Sequence, residues 1–343
     1  MQLRHPKKIL IIAPPWIGDM VMTHALIRFL KKQDPNCIID VFAIPVLQPL
    51  IKRMPEVNRY IVSPFKHGDV KLFERFKVGR SLRVAKYTHA YFIPNSFKSA
   101  LVPLFARIPR RVGWCGELRY FVLNDIRILD TKKIPLMVER FATLGCKQGE
   151  ILPKPMLLPE LLVSAEGRNL VLNRLNISLS GKPILAICPG PEHRSAKRWP
   201  PTHFADVAIA KKKEGWDVWI FGGPKERELA QIIQERSNNI CLDLTGKTDL
   251  GEVADLLSLV TVVIANDSGL MHVASALNKP VVAIYGPTPS EVAPPLTKNK
   301  FKTLSINLPC SPCAKTDCIL RHNKCMYDLR PELVLQAIAE VCS

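Results

Sequence analysis

The residues best suited to chemistry lie where apolar runs give way to helical patterns. Asn266-Asp267-Ser268-Gly269-Leu270-Met271-His272 follows one such run and opens the next helix. A helix start presents free backbone N–H groups and the positive end of the helix dipole, which suits a diphosphate. Gly269 removes a Cβ from the approach, Ser268 adds a hydroxyl donor, and His272, about one turn on, can face the same end. Asp and Ser are also common N-caps and a helical His is often structural, so the segment alone leaves both readings open.

Further loops share the strand-to-helix placement. Pro189 to Pro200 carries Arg194, Lys197 and Arg198, a point charge and two planar forks for phosphate, or else a solvated basic loop. Phe221-Gly222-Gly223-Pro224-Lys225-Glu226 offers glycines for close approach and a carboxylate for ribose hydroxyls, though Glu226 also suits a helix's first turn. Leu244 to Thr248 could add backbone contacts to a base. In the first half, Pro15-Trp16-Ile17-Gly18-Asp19 is the matching turn: Gly18 permits close approach, and Asp19 is either a cap or a general base for an acceptor hydroxyl.

Cys310, Cys313, Cys318 and Cys325, with His322 among them, form a compact cysteine cluster. Four thiols so close resemble a zinc knot, but only the first gap has the tight spacing of a structural zinc pair. Ordered reduced thiols or a facultative disulfide are the reading carried forward, and no metal is assigned to the chemistry.

The elements that must hold these loops alternate strand and helix. Lys8 to Ala13 reads as a strand, Asp19 to Lys32 as a helix with apolar residues at helical spacing, and Cys37 to Ala43 as the next strand. The Pro-rich stretch Ile151 to Pro159 is a linker, after which the rhythm restarts with strands at Pro183–Cys188, Trp216–Phe221, Val260–Ala265 and Pro280–Tyr285. The expectation is α/β: two Rossmann-like doubly wound domains over 1–160 and 161–330, with a helix at about 331–343 packing back on the first.

With 343 residues, 47% hydrophobic and 23% charged, the composition is globular, and no apolar run is long enough to span a bilayer. The N-terminal apolar run is short and meets Pro14-Pro15, so the expected location is cytoplasmic. Charge is uneven: residues 1–150 hold 26 basic and 11 acidic side chains, residues 151–343 hold 22 and 19. The stretch Lys66 to Arg119 is the densest, with 12 basic and 3 acidic, so the first half should face a polyanion such as nucleic acid, anionic lipid or a phosphorylated acceptor.

Trp16-Ile17-Gly18-Asp19-Met20-Val21-Met22, Ala196-Lys197-Arg198-Trp199-Pro200 and Asp267-Ser268-Gly269-Leu270-Met271-His272 together resemble the ADP-heptose:lipopolysaccharide heptosyltransferases. Gly286-Pro287-Thr288 and Cys310-Ser311-Pro312-Cys313 are similar too, and the likeness runs from Lys8 to about Cys325. The resemblance implies a GT-B fold, two such domains facing across a cleft. It implies inverting transfer of L-glycero-D-manno-heptose from ADP-heptose to the first heptose of the lipopolysaccharide inner core in a Gram-negative cell, with no cofactor. Asp19 then resembles the catalytic base, and Lys197 the contact to the donor's ribose and phosphate side. Glu226 would hold ribose, Ser268, Gly269 and His272 the diphosphate, and Asp267 would orient that turn or the heptose. Gly18 lies at the acceptor side. His193-Arg194 departs from the family pattern. The expected partners are ADP-heptose, a phosphorylated lipid A-core acceptor and the cytosolic face of the inner membrane, with the chain acting as a monomer.

Two other readings compete. A nucleic-acid-binding protein would explain the charge but not phosphate-type loops in the near-neutral half, so no nucleic acid is expected. A sister heptosyltransferase with a different core acceptor would share every motif. A dinucleotide oxidoreductase is excluded by the lack of Gly-x-Gly-x-x-Gly after either leading strand.

Overall fold

The computed structural model describes residues 6–66, 68–190 and 195–343. The chain divides into two compact units, Met1–Pro159 and Glu160–Ser343. In the first, β1 (Lys8–Ile12), α1 (Ile17–Gln33), β2 (Ile38–Ala43), α2 (Gln48–Ile51), β3 (Arg59–Val62), α3 (Leu72–Leu82), β4 (His89–Phe92), α4 (Leu101–Phe105), β5 (Arg110–Trp114), β6 (Asp125–Arg127) and α5 (Met137–Thr143) follow in order. The second has α6 (Ala165–Arg174), β7 (Ile184–Cys188), α7 (Pro201–Lys213), β8 (Asp217–Ile220), α8 (Arg227–Arg236), β9 (Leu242–Asp243), α9 (Leu250–Leu257), β10 (Val262–Asn266), α10 (Gly269–Ala276), β11 (Val281–Ile284), β12 (Phe301–Leu304), α11 (Lys324–Tyr327) and α12 (Pro331–Cys342).

Each unit holds one six-stranded sheet, ordered β3-β2-β1-β4-β5-β6 and β12-β11-β10-β7-β8-β9. Every strand pair is parallel. Counted from its own first strand, each sheet has the same Rossmann order, and strand order reverses beside β1 and beside β7. Ligands of such sheets collect at the carboxyl ends of the strands at this reversal. The central strands β7, β10 and β11 are buried along their whole length, which is why they read as continuous apolar runs rather than alternating ones.

α12 packs on α7 and on β10, β11 and β12. Val334, Ala337, Ile338 and Val341 join the core cluster that includes Leu185, Phe204 and Ile284. Its apolar stripe is thus buried against the second sheet. β5, β6, β12 and α3 were missed from sequence: β6 is three residues long, β5 begins with two arginines, and β12 starts on exposed Phe301 and Lys302.

Candidate functional site

The second unit supplies a compact polar network where β7 and β10 lie side by side. Asn266 is the last residue of β10 rather than part of the loop, and it is fully buried. Its Nδ2 donates to the carbonyls of Pro189 (2.8 Å) and Gly190 (2.7 Å), and its Oδ1 accepts from the Trp199 backbone N–H (3.2 Å). One side chain thereby clamps both ends of the loop that carries Lys197. Trp199, in the core, adds an indole hydrogen bond to Leu329 O at 2.7 Å. Sequence reading gave Asn266 no role of its own; an amide at a buried strand end, next to an acid, was the signal.

Lys197 so held forms an ion pair with Asp267, both side chains 12% exposed. Asp267 Oδ2 also accepts the Thr288 hydroxyl at 2.6 Å. Thr288 follows β11 and was quoted in the sequence only as part of a shared tripeptide. Asp267 therefore links the ends of three strands, an arrangement that fixes the ammonium of Lys197 rather than leaving it to wander on its four-carbon stem.

Ser268 decides between cap and binding group. Ser164 caps α6 by accepting the Gly167 N–H, and Asp249 caps α9 by accepting those of Gly251 and Glu252. Ser268 occupies the same position on α10, yet its hydroxyl makes no capping bond and its Oγ is buried without a partner. His272 Nδ1 is likewise buried and unpartnered. Burial, opposed by the Asp267 carboxylate and aided by the Lys197 ammonium, pulls the His272 imidazole down to about 4, so it is neutral at pH 7. Unsatisfied buried polar atoms cost free energy unless something fills them. Here they sit on an uncapped helix start beginning at Gly269, where an anion satisfies both amides and hydroxyl.

Glu226 lies in the 3-10 turn Pro224–Glu226, and its Oε2 accepts the Gly223 N–H at 2.7 Å. One carboxylate oxygen thus closes the turn, as the capping reading required. Gly222 is needed there, since a Cβ would come within 2.8 Å of Glu226 Cβ. Thr245 is tied to Asp243 and the Thr248 hydroxyl is a further buried, unpartnered atom. His193 and Arg194 lie outside the described residues, as do Pro191 and Glu192.

In the first unit, Gly18 and Asp19 occupy the first turn of α1, directly after β1. Asp19 is half-buried, and its carbonyl accepts the Thr23 hydroxyl at 2.7 Å. Nine residues of α1 are buried, among them His24, whose Nε2 meets Glu56 Oε2 at 2.7 Å. Arg28 approaches the same carboxylate at 3.3 Å. Burial pushes the Glu56 carboxyl up, but the His24 hydrogen bond and the Arg28 guanidinium outweigh it and leave it below the usual range. This partly buried polar cluster seats α1, and with it Asp19; nothing in the spacing of residues 24, 28 and 56 announced it.

Cys310, Cys313, Cys318, Cys325 and His322 line a cavity of about 220 Å³, and all four thiols are free. Cys310 Sγ is 4.0 Å from His322 Nε2. Among the described residues no group of three His, Cys, Asp or Glu side chains is placed to hold a metal ion.

The model for glycosyltransferase family 9 (heptosyltransferase) matches residues 75–324. The chain belongs to that family. It is a glycosyltransferase, and it is 42% identical to lipopolysaccharide heptosyltransferase 2 of Escherichia coli K12 over 96% of this chain and 97% of that protein. Against lipooligosaccharide heptosyltransferase 2 of Haemophilus influenzae the identity is 40%, over 97% and 99%. The structure of E. coli ADP-heptose lps heptosyltransferase II superposes with a TM-score of 0.87 at 40% identity, covering 98% of each chain, and shares the GT-B class of α/β fold. E. coli heptosyltransferase WaaC with ADP shares the fold at a TM-score of 0.70 and 19% identity, over 97% and 99%. No described helix of this family 9 enzyme is long and apolar enough to cross a membrane.

Proposed function

We propose that this glycosyltransferase moves L-glycero-D-manno-heptose from ADP-heptose, with inversion, onto the first heptose of the lipopolysaccharide inner core. The observation that carries the donor half is the uncapped start of α10, with buried and unpartnered Ser268 Oγ and His272 Nδ1 beside the Lys197–Asp267 pair. The full-length likeness to type 2 heptosyltransferases supports the acceptor assignment.

The reaction is a single displacement. Asp19 takes the proton of the acceptor hydroxyl, the hydroxyl oxygen bonds to the anomeric carbon, the bond to the diphosphate oxygen breaks, and ADP leaves. An alcohol proton transfers late, as the new bond forms, so placement of the carboxylate matters more than its basicity. Lys197, Ser268 and the amides from Gly269 onward neutralise charge growing on the leaving phosphate. Groups already fixed before reaction spend little on reorganisation, which is why such electrostatic terms dominate many enzymes. Asp267 holds Lys197 in place, His272 contributes an uncharged hydrogen-bonding ring, and Glu226 receives the ribose. Gly18 keeps the acceptor side open. The enzyme works at the cytosolic face of the inner membrane, where its basic first unit meets a phosphorylated lipid acceptor.

Turnover of ADP-heptose on core acceptors truncated before and after the first heptose tests the proposal. Transfer only to the acceptor that carries the first heptose is the expected result; transfer to the shorter acceptor would reassign the enzyme to another core position.

A further inference from the structure

The dense basic stretch of the first unit also carries an apolar surface that the transfer reaction does not use. Several large apolar side chains there are solvent-facing: Phe121 is 93% exposed, Leu118 80% and Phe73 65%, and Val70, Leu72 and Phe97 are exposed as well. They come from three segments that follow β3, β4 and β5, the first running into the opening turn of α3, and hydrogen bonds join those segments. Arg75 is buried, and its guanidinium donates to Asp69 O (2.9 Å), Val70 O (2.6 Å) and Lys98 O (3.0 Å), stapling the first loop to the second. Glu117 accepts the Phe97 N–H at 2.8 Å, which ties the second loop to the third. Buried Arg119 donates to Pro94 O at 2.9 Å and to Asn95 Oδ1 at 3.1 Å, closing the same junction from below.

Arg75 and Arg119 are therefore structural, and the charge that faces water comes from other residues. Lys66, Lys71, Lys77 and Arg80 are exposed in the same stretch, with Lys71 paired to Asp69 at 3.3 Å and Glu74 and Glu117 exposed as the acidic minority. Lys77 Nζ lies 4.5 Å from the Phe73 ring centroid, a cation resting on an exposed aromatic face. Isolated apolar side chains on a surface are ordinary, but a set of them on loops joined by hydrogen bonds and interspersed with exposed cations is the pattern of interfacial proteins. Aromatic and aliphatic tips enter the acyl boundary while lysine stems lie along it and keep their ammonium groups among anionic headgroups.

We infer that the joined loops 69–73, 96–98 and 117–121 are a membrane-docking surface that inserts Phe73, Leu118 and Phe121 into an anionic phospholipid bilayer. The inference rests on the proposed function only in expecting a lipid-borne acceptor; the docking itself is independent of nucleotide.

The test uses the full chain without nucleotide. Flotation with phosphatidylethanolamine–phosphatidylglycerol vesicles at about 3:1, against neutral phosphatidylcholine vesicles, is measured near 0.1 and 0.5 M NaCl. Wild type should float with the anionic vesicles and retain part of that binding at high salt. The triple variant F73S/L118S/F121S should lose about tenfold in partitioning, while I151S, at another exposed apolar site, should not. Because the triple variant could misfold, F121W gives a second readout: its emission should shift to the blue and be quenched by brominated anionic lipid. Unchanged F121W emission, triple-variant binding equal to wild type, or binding wholly abolished by salt would each overturn insertion. Absence of vesicle binding by wild type would also overturn it, and would leave the surface to a protein partner. ADP binding by calorimetry, read on the same samples, tests the heptosyl-transfer reading separately.

Discussion

The two strand-order reversals of this enzyme are built from the same topology and finished in opposite ways. In the second unit the loop residues are interlocked: Asn266 clamps the Lys197 loop, Asp267 joins Lys197 to Thr288, and His272 is buried behind them. In the first unit the corresponding turn presents Asp19 half-buried on a helix end, and the neighbouring loops present lysines and exposed aromatics. If the second unit holds the donor as proposed, a preformed cage suits a nucleotide diphosphate, which is small, rigidly charged and always the same. A large lipid-linked acceptor, if held by the first unit as proposed, would instead suit an open side. Preorganisation is worth most where charge develops in the transition state, and that is where the hydrogen bonds are concentrated.

The sharpest way to break this comparison is Asp19→Ala. If Asp19 is the base, turnover should fall by about three orders of magnitude, within the range for general-base loss, while ADP affinity stays within about twofold. Near-normal turnover with tight ADP binding would remove the base from the first unit. Lys197→Ala should cost about 100-fold or more in kcat and also weaken ADP, because the cation belongs to the caged side. An effect confined to acceptor KM would take Lys197 out of the donor site.

The caged side should also be the acid-sensitive one. With His272 at about 4 in the fold against 6.5 in the unfolded chain, the unfolded state binds the extra proton first as pH falls. Stability is therefore at its full value above about 6.5, declines between 6.5 and 4, and levels off below. A depression of that size corresponds to about 3 kcal/mol for a fully buried ring. His272→Gln should flatten this part of the pH–stability curve measured by denaturant unfolding; an unchanged curve would mean the imidazole is not held neutral. The smallest expected effect is Thr288→Val, which leaves Asp267 paired with Lys197 but removes one hydrogen bond. About 1 kcal/mol, or roughly fivefold in kcat/KM for ADP-heptose, is the expected loss.

The architecture was largely legible in the residues. Continuous apolar runs at Ile184–Cys188, Val262–Asn266 and Val281–Ile284 are what parallel strands covered on both faces require, and each was visible to within two residues. Less visible were short or charged strands such as β5 and β6, whose membership comes from pairing, β5 with β4 and β6 with β5, rather than from their own composition. The cysteine cluster marks the limit of spacing arguments, because only the fold brings four thiols spread over sixteen residues to line one cavity.

What the sequence by itself determined was therefore the set of strand-to-helix turns and the side chains they carry: Gly18 and Asp19, Lys197, Glu226, and Asp267 to His272. Local rules suffice for these, since a strand end, a glycine and a helix start lie within a few residues of one another. Only the tertiary structure decided which of them are capping groups and which are left for a ligand. Glu226 closes its own turn with one oxygen, whereas Ser268 leaves its helix uncapped and His272 is stripped of water and neutral. It also decided that Asn266, Thr288 and Glu56 matter. Each acts on partners from 21 to 77 residues away, and hydrogen-bond partnership over that separation is fixed by the packing of sheets and helices, which no local pattern encodes.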